Sequence, residues 1–140
     1  MKMSCSVQYN NATAWFYNNN LHREDGPALE FLGGRKEWWS DNHRHRLDGP
    51  ALIYPNGEKE WWVNGKRHRE DGPAVYYYDC LEWWVNGKRH CLNGPAVERT
   101  NGDKEWWVDG KVHREDGPAI EYADGYKEWW VNGVFKGSNE

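Results

Sequence analysis

Apolar residues along this chain fall in short alternating runs punctuated by Gly, Pro, Asn and Asp, and the runs return at a near-constant interval. An aromatic pair marks each return. The pairs are Trp15-Phe16, Trp38-Trp39, Trp61-Trp62, Trp83-Trp84, Trp106-Trp107 and Trp129-Trp130, spaced by 23, 23, 22, 23 and 23 residues. Between them Gly-Pro-Ala recurs at Gly26, Gly49, Gly72, Gly94 and Gly117. A fixed period of this length marks stacked supersecondary units rather than one globular core. No stretch carries a helical apolar period, so no helix is predicted.

One unit shows the pattern. Ala51-Leu52-Ile53-Tyr54, Pro55-Asn56-Gly57 and Glu58 to Val63 read as two strands around a turn, and Asn64-Gly65 follows as a second turn signal. Pro55 suits the second position of a type I turn, and Gly57 supplies the left-handed residue that closes a three-residue loop with a bulge. That loop sets Glu30 opposite Lys36, Glu98 opposite Lys104 and Glu121 opposite Lys127. A two-residue loop would set Glu98 opposite Glu105 and Glu121 opposite Glu128, and like charges across a ladder are unfavourable. The third hairpin lacks one residue, which predicts a two-residue loop at Tyr78-Asp79 with Ala74 kept opposite Trp83. Alternation sends the two Trp of each pair to opposite faces. The second Trp shares its face with Leu29 and Phe31, Leu52 and Tyr54, Val75 and Tyr77, Val97, or Ile120 and Tyr122. Trp39, Trp62, Trp84, Trp107 and Trp130 are therefore the expected core ladder. The first Trp of each pair lies over the small Ala residues, either covered by the connections or left as an open groove. In a chain this poor in aliphatics, burial of at least half of those rings is expected.

The fold class is thus all-β: an elongated, twisted antiparallel sheet of tandem 22- to 23-residue hairpin repeats, roughly a dozen strands in all. Residues 1–140 form a single domain, with 1–20 a degenerate N-terminal hairpin and cap, 21–133 five repeats, and 134–140 a frayed tail. The mean hydropathy of -1.10 points toward disorder, but the 16% aromatic content points to an ordered chain with a core built from rings. A net charge of -4 gives no footprint for nucleic acid or anionic membrane. No apolar run spans a bilayer, and no hydrophobic signal segment is expected at the start. Cys5, Cys80 and Cys91 lack metal or disulfide spacing and read as reduced thiols, which favours the cytoplasm.

Asn64-Gly65-Lys66-Arg67-His68, then Gly72, then Tyr76 to Tyr78, resemble the MORN repeat, a β-hairpin repeat of about this period. So do Trp107-Val108-Asp109-Gly110-Lys111-Val112-His113 and Tyr122-Ala123-Asp124-Gly125. The resemblance runs from about Ala14 to Gly133. Two features depart from the family pattern. Glu37, Glu60, Glu82, Glu105 and Glu128 stand where the family has Gly, and the loop after the His is longer and ends in Gly-Pro. The chain is similar to variant arrays in phage, large-DNA-virus and bacterial proteins. The resemblance implies an interaction or scaffolding role without enzymatic activity; lipid binding, proposed for some members, is not carried over at this net charge.

Repetition also weighs on the candidate chemistry. Successive copies in the His22, His45, His68, His90 and His113 ladder should lie about 10 Å apart, whereas metal ligands converge within about 2 Å of one ion. The histidines therefore read as structural, bonding across repeats, and no metal or cofactor is expected. The Arg-Glu-Asp clusters at Arg23, Arg69 and Arg114 read as turn caps with Arg paired to a carboxylate of the next repeat. The fourth copy, Cys91-Leu92-Asn93, loses all three charges, which makes the loop before Gly94 the place for a specialised or partner-facing surface. No catalytic residue is assigned, because repetition gives the carboxylates equivalent environments where glycoside hydrolysis needs two different ones.

What remains is binding. The first-Trp row of Trp38, Trp61, Trp83, Trp106 and Trp129, rimmed by Arg69, Arg114, His68, His90 and His113, matches the aromatic and Arg composition of interaction hot spots. A protein partner is expected, as for a phage or viral inhibitor of a host factor working in the host cytoplasm, a context that comes from the resemblance. A nucleotide or signalling-metabolite sponge and a carbohydrate-binding module are the alternatives. No nucleic acid or membrane is expected as partner, and the array is read as a monomer or an edge-paired homodimer.

Overall fold

The computed structural model describes residues 1–139, and among them every regular element is a β-strand. The chain divides into two compact units, Met1–Arg67 and the residues from His68 onward.

In the first unit the sheet runs, in spatial order, through Cys5–Gln8, Ala12–Tyr17, Leu29–Phe31, Lys36–Glu37, Leu52–Ile53 and Lys59–Glu60, each antiparallel to the next. In the second it runs through Val75–Tyr76, Cys80–Glu82, Val97–Arg99, Lys104–Glu105, Ile120–Glu121, Lys127–Val131 and Val134–Ser138. The three-residue loops close as their chemistry dictates. The Tyr54 amide donates to the Glu58 carbonyl at 2.9 Å, Gly57 sits at φ +92°, and the pairs Glu30/Lys36, Glu98/Lys104 and Glu121/Lys127 face one another. The short hairpin pairs Tyr76 with Leu81 and turns through Tyr78-Asp79, neither of which needs a positive φ.

A second hairpin in each repeat was not legible in the sequence. Trp39–Ser40 pairs with His43–Arg44, Trp62–Val63 with Lys66–Arg67, Trp84–Val85 with Lys88–Arg89, and Trp107–Val108 with Lys111–Val112. Its two-residue turns are left-handed at both positions: Asp41-Asn42 in the first, and Asn-Gly or Asp-Gly in the others, such as Asn64 at φ 50° and Gly65 at 77°, the primed geometry that matches strand twist. The returning strand is polar and lacks alternation, so it reads as a loop. Its backbone bonds its own repeat on one edge and the next repeat on the other. The Gly65 amide, for example, donates to the Arg44 carbonyl at 2.9 Å.

Two expectations are corrected. The tail is not frayed along 134–138, because Val134–Ser138 pairs with Lys127–Val131 across a bulge and Phe135 packs edge-on against Trp130 at 5.3 Å; Glu140 lies outside the described residues. The second-Trp ladder is not the buried core either. Trp39, Trp62, Trp84, Trp107 and Trp130 are all half-buried, and the fully buried aliphatics include Ala14, Ala28, Ala51, Ala74, Ala96 and Ala119 on one face and Leu52, Val75 and Val97 on the other. Glu37 and Glu60 are as buried as the aliphatics, at 1% and 2% exposure.

Candidate functional site

In both units each face of the sheet is built from one repeated cluster. On the second-Trp face the cluster centres on the inward Glu. Glu37 accepts the Trp39 indole N–H at 2.9 Å and is ion-paired to Arg44 at 3.2 Å and to Arg35. Glu60 accepts from Trp62 at 2.8 Å and Arg67 at 3.1 Å, and Glu82 from Trp84 at 2.7 Å and Arg89 at 3.2 Å. The guanidiniums also lie between indoles: Arg44 is 5.2 Å from Trp39 and 5.4 Å from Trp62, and Arg89 is 5.3 Å from Trp84 and 5.2 Å from Trp107. A buried carboxylate is tolerable only because its acceptor sites are filled. The cluster thins toward the C-terminal end. Val112 replaces the Arg, so Glu105 turns to Arg99 at 2.6 Å, and Glu128 keeps Trp130 at 2.7 Å. This face is therefore structural.

On the first-Trp face the Ala file is covered by indoles, and the indoles are covered by Arg from the connections. The Arg23 guanidinium lies 3.9 Å from the Trp15 ring, Arg46 4.0 Å from Trp38 and Arg114 4.0 Å from Trp106. Each Arg also closes its own loop. Arg46 donates through Nε to Asp48 at 3.0 Å and through Nη1 to the Pro50 carbonyl at 3.0 Å, and Arg23, Arg69 and Arg114 repeat the pattern. Arg23 beside Asp25 holds that carboxyl below the usual carboxylate range. The Gly of Gly-Pro-Ala lies close against the guanidinium: a Cβ on Gly49 would sit 3.0 Å from Arg46 Cζ.

The histidines engage the repeat that follows. Nδ1 of His45 accepts the Asn64 amide at 3.1 Å, His68 that of Asn86 at 3.0 Å, His90 that of Asp109 at 3.1 Å and His113 that of Asn132 at 3.0 Å. The ladder thus caps successive Asn-Gly turns, as its structural reading expects. His45→Ala should lower stability by about 1 kcal/mol, the worth of one such hydrogen bond, read from the urea midpoint. His45→Asn, whose Oδ1 can take over the acceptor position, should recover part of the loss. An unchanged midpoint in the Ala variant would remove the capping role.

Of the predicted binding residues, Arg69, Arg114, His68, His90 and His113 are engaged within the fold, and Trp38 and Trp106 are roofed by Arg. Trp61 is half-buried, and Trp129 is exposed at 37%. Trp83 differs from the others, because the connection after it carries Cys91 where an Arg would stand. Between successive connections lie open clefts. One of about 630 Å³ has Trp38, Arg46 and Leu47 in its walls, one of about 550 Å³ has Trp83, Cys91 and Leu92, and one of about 690 Å³ has Leu92, Trp106 and Arg114. Their rims carry Glu and Asp together with two exposed Leu, Leu47 at 80% and Leu92 at 75%. Cys5, Cys80 and Cys91 are free thiols; burial, then the Glu82 charge, pushes Cys80 above the ordinary thiol range. Among the described residues no three His, Cys, Asp or Glu converge as a metal site, and no helix is long and apolar enough to cross a membrane.

No protein-family model matches the sequence, and no curated protein matches it. Function therefore has to be argued from the two faces.

Proposed function

We propose that this chain is a non-catalytic protein-binding module, a MORN-like repeat that meets its partner on the first-Trp face. The observation that carries the reading is the shallow clefts that each unit carries over its first-Trp residues, floored by indole and rimmed by acidic residues and by exposed Leu47 in the first unit and Leu92 in the second. Small-molecule sites enclose most of their ligand's surface and converge a few polar groups on it. These clefts are open and repeated, a form suited to the extended surface of another protein with a basic complement to the Glu and Asp rims. Sugar stacking is disfavoured, since guanidiniums occupy the indole faces of Trp38 and Trp106. The non-catalytic part of the reading rests on the inward carboxylates being taken up by Trp and Arg donors. A cytoplasmic setting, the host's if the chain is viral, is part of the proposal and draws on the three free thiols.

The test compares two faces rather than one capture. Leu47→Ser with Leu92→Ser changes only exposed tips, and Leu32→Ser, 83% exposed on a hairpin turn, is the control. Capture of a protein by the immobilised wild type should fall about tenfold in the double variant and persist in the control. Equal capture by all three would overturn the reading. So would saturable quenching of Trp fluorescence by nucleotides or oligosaccharides with no protein captured.

A further inference from the structure

The connection from Cys91 to Gly94 leaves empty a slot that an arginine fills elsewhere in the same chain. At Arg23, Arg46 and Arg114 the guanidinium is held from four sides. An indole lies 3.9 to 4.0 Å away, a Gly closes the other side, Nε donates to the Asp two residues on, and Nη1 donates to the Pro carbonyl at 3.0 to 3.1 Å. A carboxylate seven residues on adds an ion pair in two of them: Glu30 reaches Arg23 at 3.3 Å and Glu121 reaches Arg114 at 3.5 Å.

At the fourth connection the backbone is unchanged. The His90 amide donates to the Trp83 carbonyl at 3.1 Å and the Cys91 amide to the Trp107 carbonyl at 3.0 Å, matching His45 to Trp38 at 3.1 Å and Arg46 to Trp62 at 3.0 Å. Only the side chains differ. Cys91 stands for the Arg, Asn93 for the Asp, and nothing lies within 4 Å of a Cβ built on Gly94. The other walls remain in sequence register: Trp83 for the indole, the Pro95 carbonyl, and Glu98 seven residues after Cys91. No ion pair or hydrogen bond among the described residues engages the Glu98 carboxylate. The cleft over Trp83 opens to solvent past Leu92.

We propose that this slot receives the guanidinium of an arginine side chain presented by the protein partner. The planar cation stacks on Trp83, donates to the Pro95 carbonyl and the Asn93 amide oxygen, and pairs with Glu98. A lysine ammonium supplies the charge but neither the stacking plane nor the fork of donors. The assignment rests on the first-Trp face being the protein-binding face, and it names the anchor that face selects.

The test uses the intact chain labelled with 5-fluorotryptophan, the Trp83 signal being assigned by its loss in Trp83→Phe. Titration with N-acetyl-arginine methylamide should shift that signal saturably in the millimolar range. The lysine analogue should act at least about tenfold more weakly, and Glu98→Gln should weaken the arginine response about fivefold. Cys91→Arg with Asn93→Asp supplies the missing side chain from within and should abolish the shift while raising the melting temperature. Gly94→Val closes the slot by bulk and should also abolish it, so the assignment does not hang on one variant folding. A stationary Trp83 signal, an equal response to lysine, or an undiminished response in both filled variants would overturn the slot. Separately, a partner captured by the wild type and still held by the filled variants would sink the slot as an anchor while the binding face stands. An arginine response without any captured protein would sink the proposed function and leave the slot.

Discussion

Glu37→Ala should destabilise the chain by about 4 kcal/mol, the range for removing one partner from a buried ion pair. The side chain is 1% exposed, and its loss leaves the Trp39 indole N–H, Arg44 and Arg35 without their shared acceptor. Such a loss is a large share of the about 5 to 15 kcal/mol that holds a domain together. The urea midpoint reads it directly, with hydrogen exchange used to localise it, because repeat arrays unfold in parts. The equivalent changes should grade with the number of donors. Glu105→Ala, which strands Arg99 and Trp107, should cost less, and Glu128→Ala, which strands the Trp130 indole, about 1 kcal/mol. A flat series, or a Glu37→Ala midpoint like the wild type, would mean that these carboxylates are passengers.

Gly49→Val and Gly94→Val should differ although they change the same repeat position. Neither glycine has a left-handed φ, so both backbones accept an L side chain. At Gly49 the added carbons meet the Arg46 guanidinium, 3.0 Å from the Cβ position, and force it off Trp38. Losing the cation–π stack and the bonds to Asp48 and the Pro50 carbonyl should cost about 2 to 3 kcal/mol. At Gly94 nothing stands in the way, and the change should stay within about 0.5 kcal/mol. Thermal denaturation of the two variants side by side is sufficient. Equal losses would mean that these glycines serve the loop backbone and not the guanidinium, and the empty slot at Trp83 would lose its meaning.

Much of the fold was legible because its determinants are local. Pro55-Asn56-Gly57 closes its loop within five residues, and the charges of Glu98, Lys104 and Glu105 choose the register across a single ladder. The missing residue of the third hairpin shortens its loop in place, and the break at Cys91 is visible as a departure from four sister copies. Other features depend on what the neighbouring strands contribute. Nothing local to Glu37 signals its burial, which comes from Arg35, Arg44 and Trp39 closing over it. His43–Arg44 reads as a loop until backbone partners appear on both edges. Val134–Ser138 reads as a tail, since polar flanks give no sign that Lys127–Val131 offers it a free edge.

The same division governs the candidate surface. Periodicity alone put one Trp of every pair on each face, because side chains alternate wherever a strand is extended. Which of those rings meets solvent was decided in three dimensions. A guanidinium can roof an indole only if the connection folds back over it, and that depends on a Gly leaving room and an Asp and a Pro carbonyl taking the donors. Strand pairing is written in neighbouring residues; burial is a property of the packed stack.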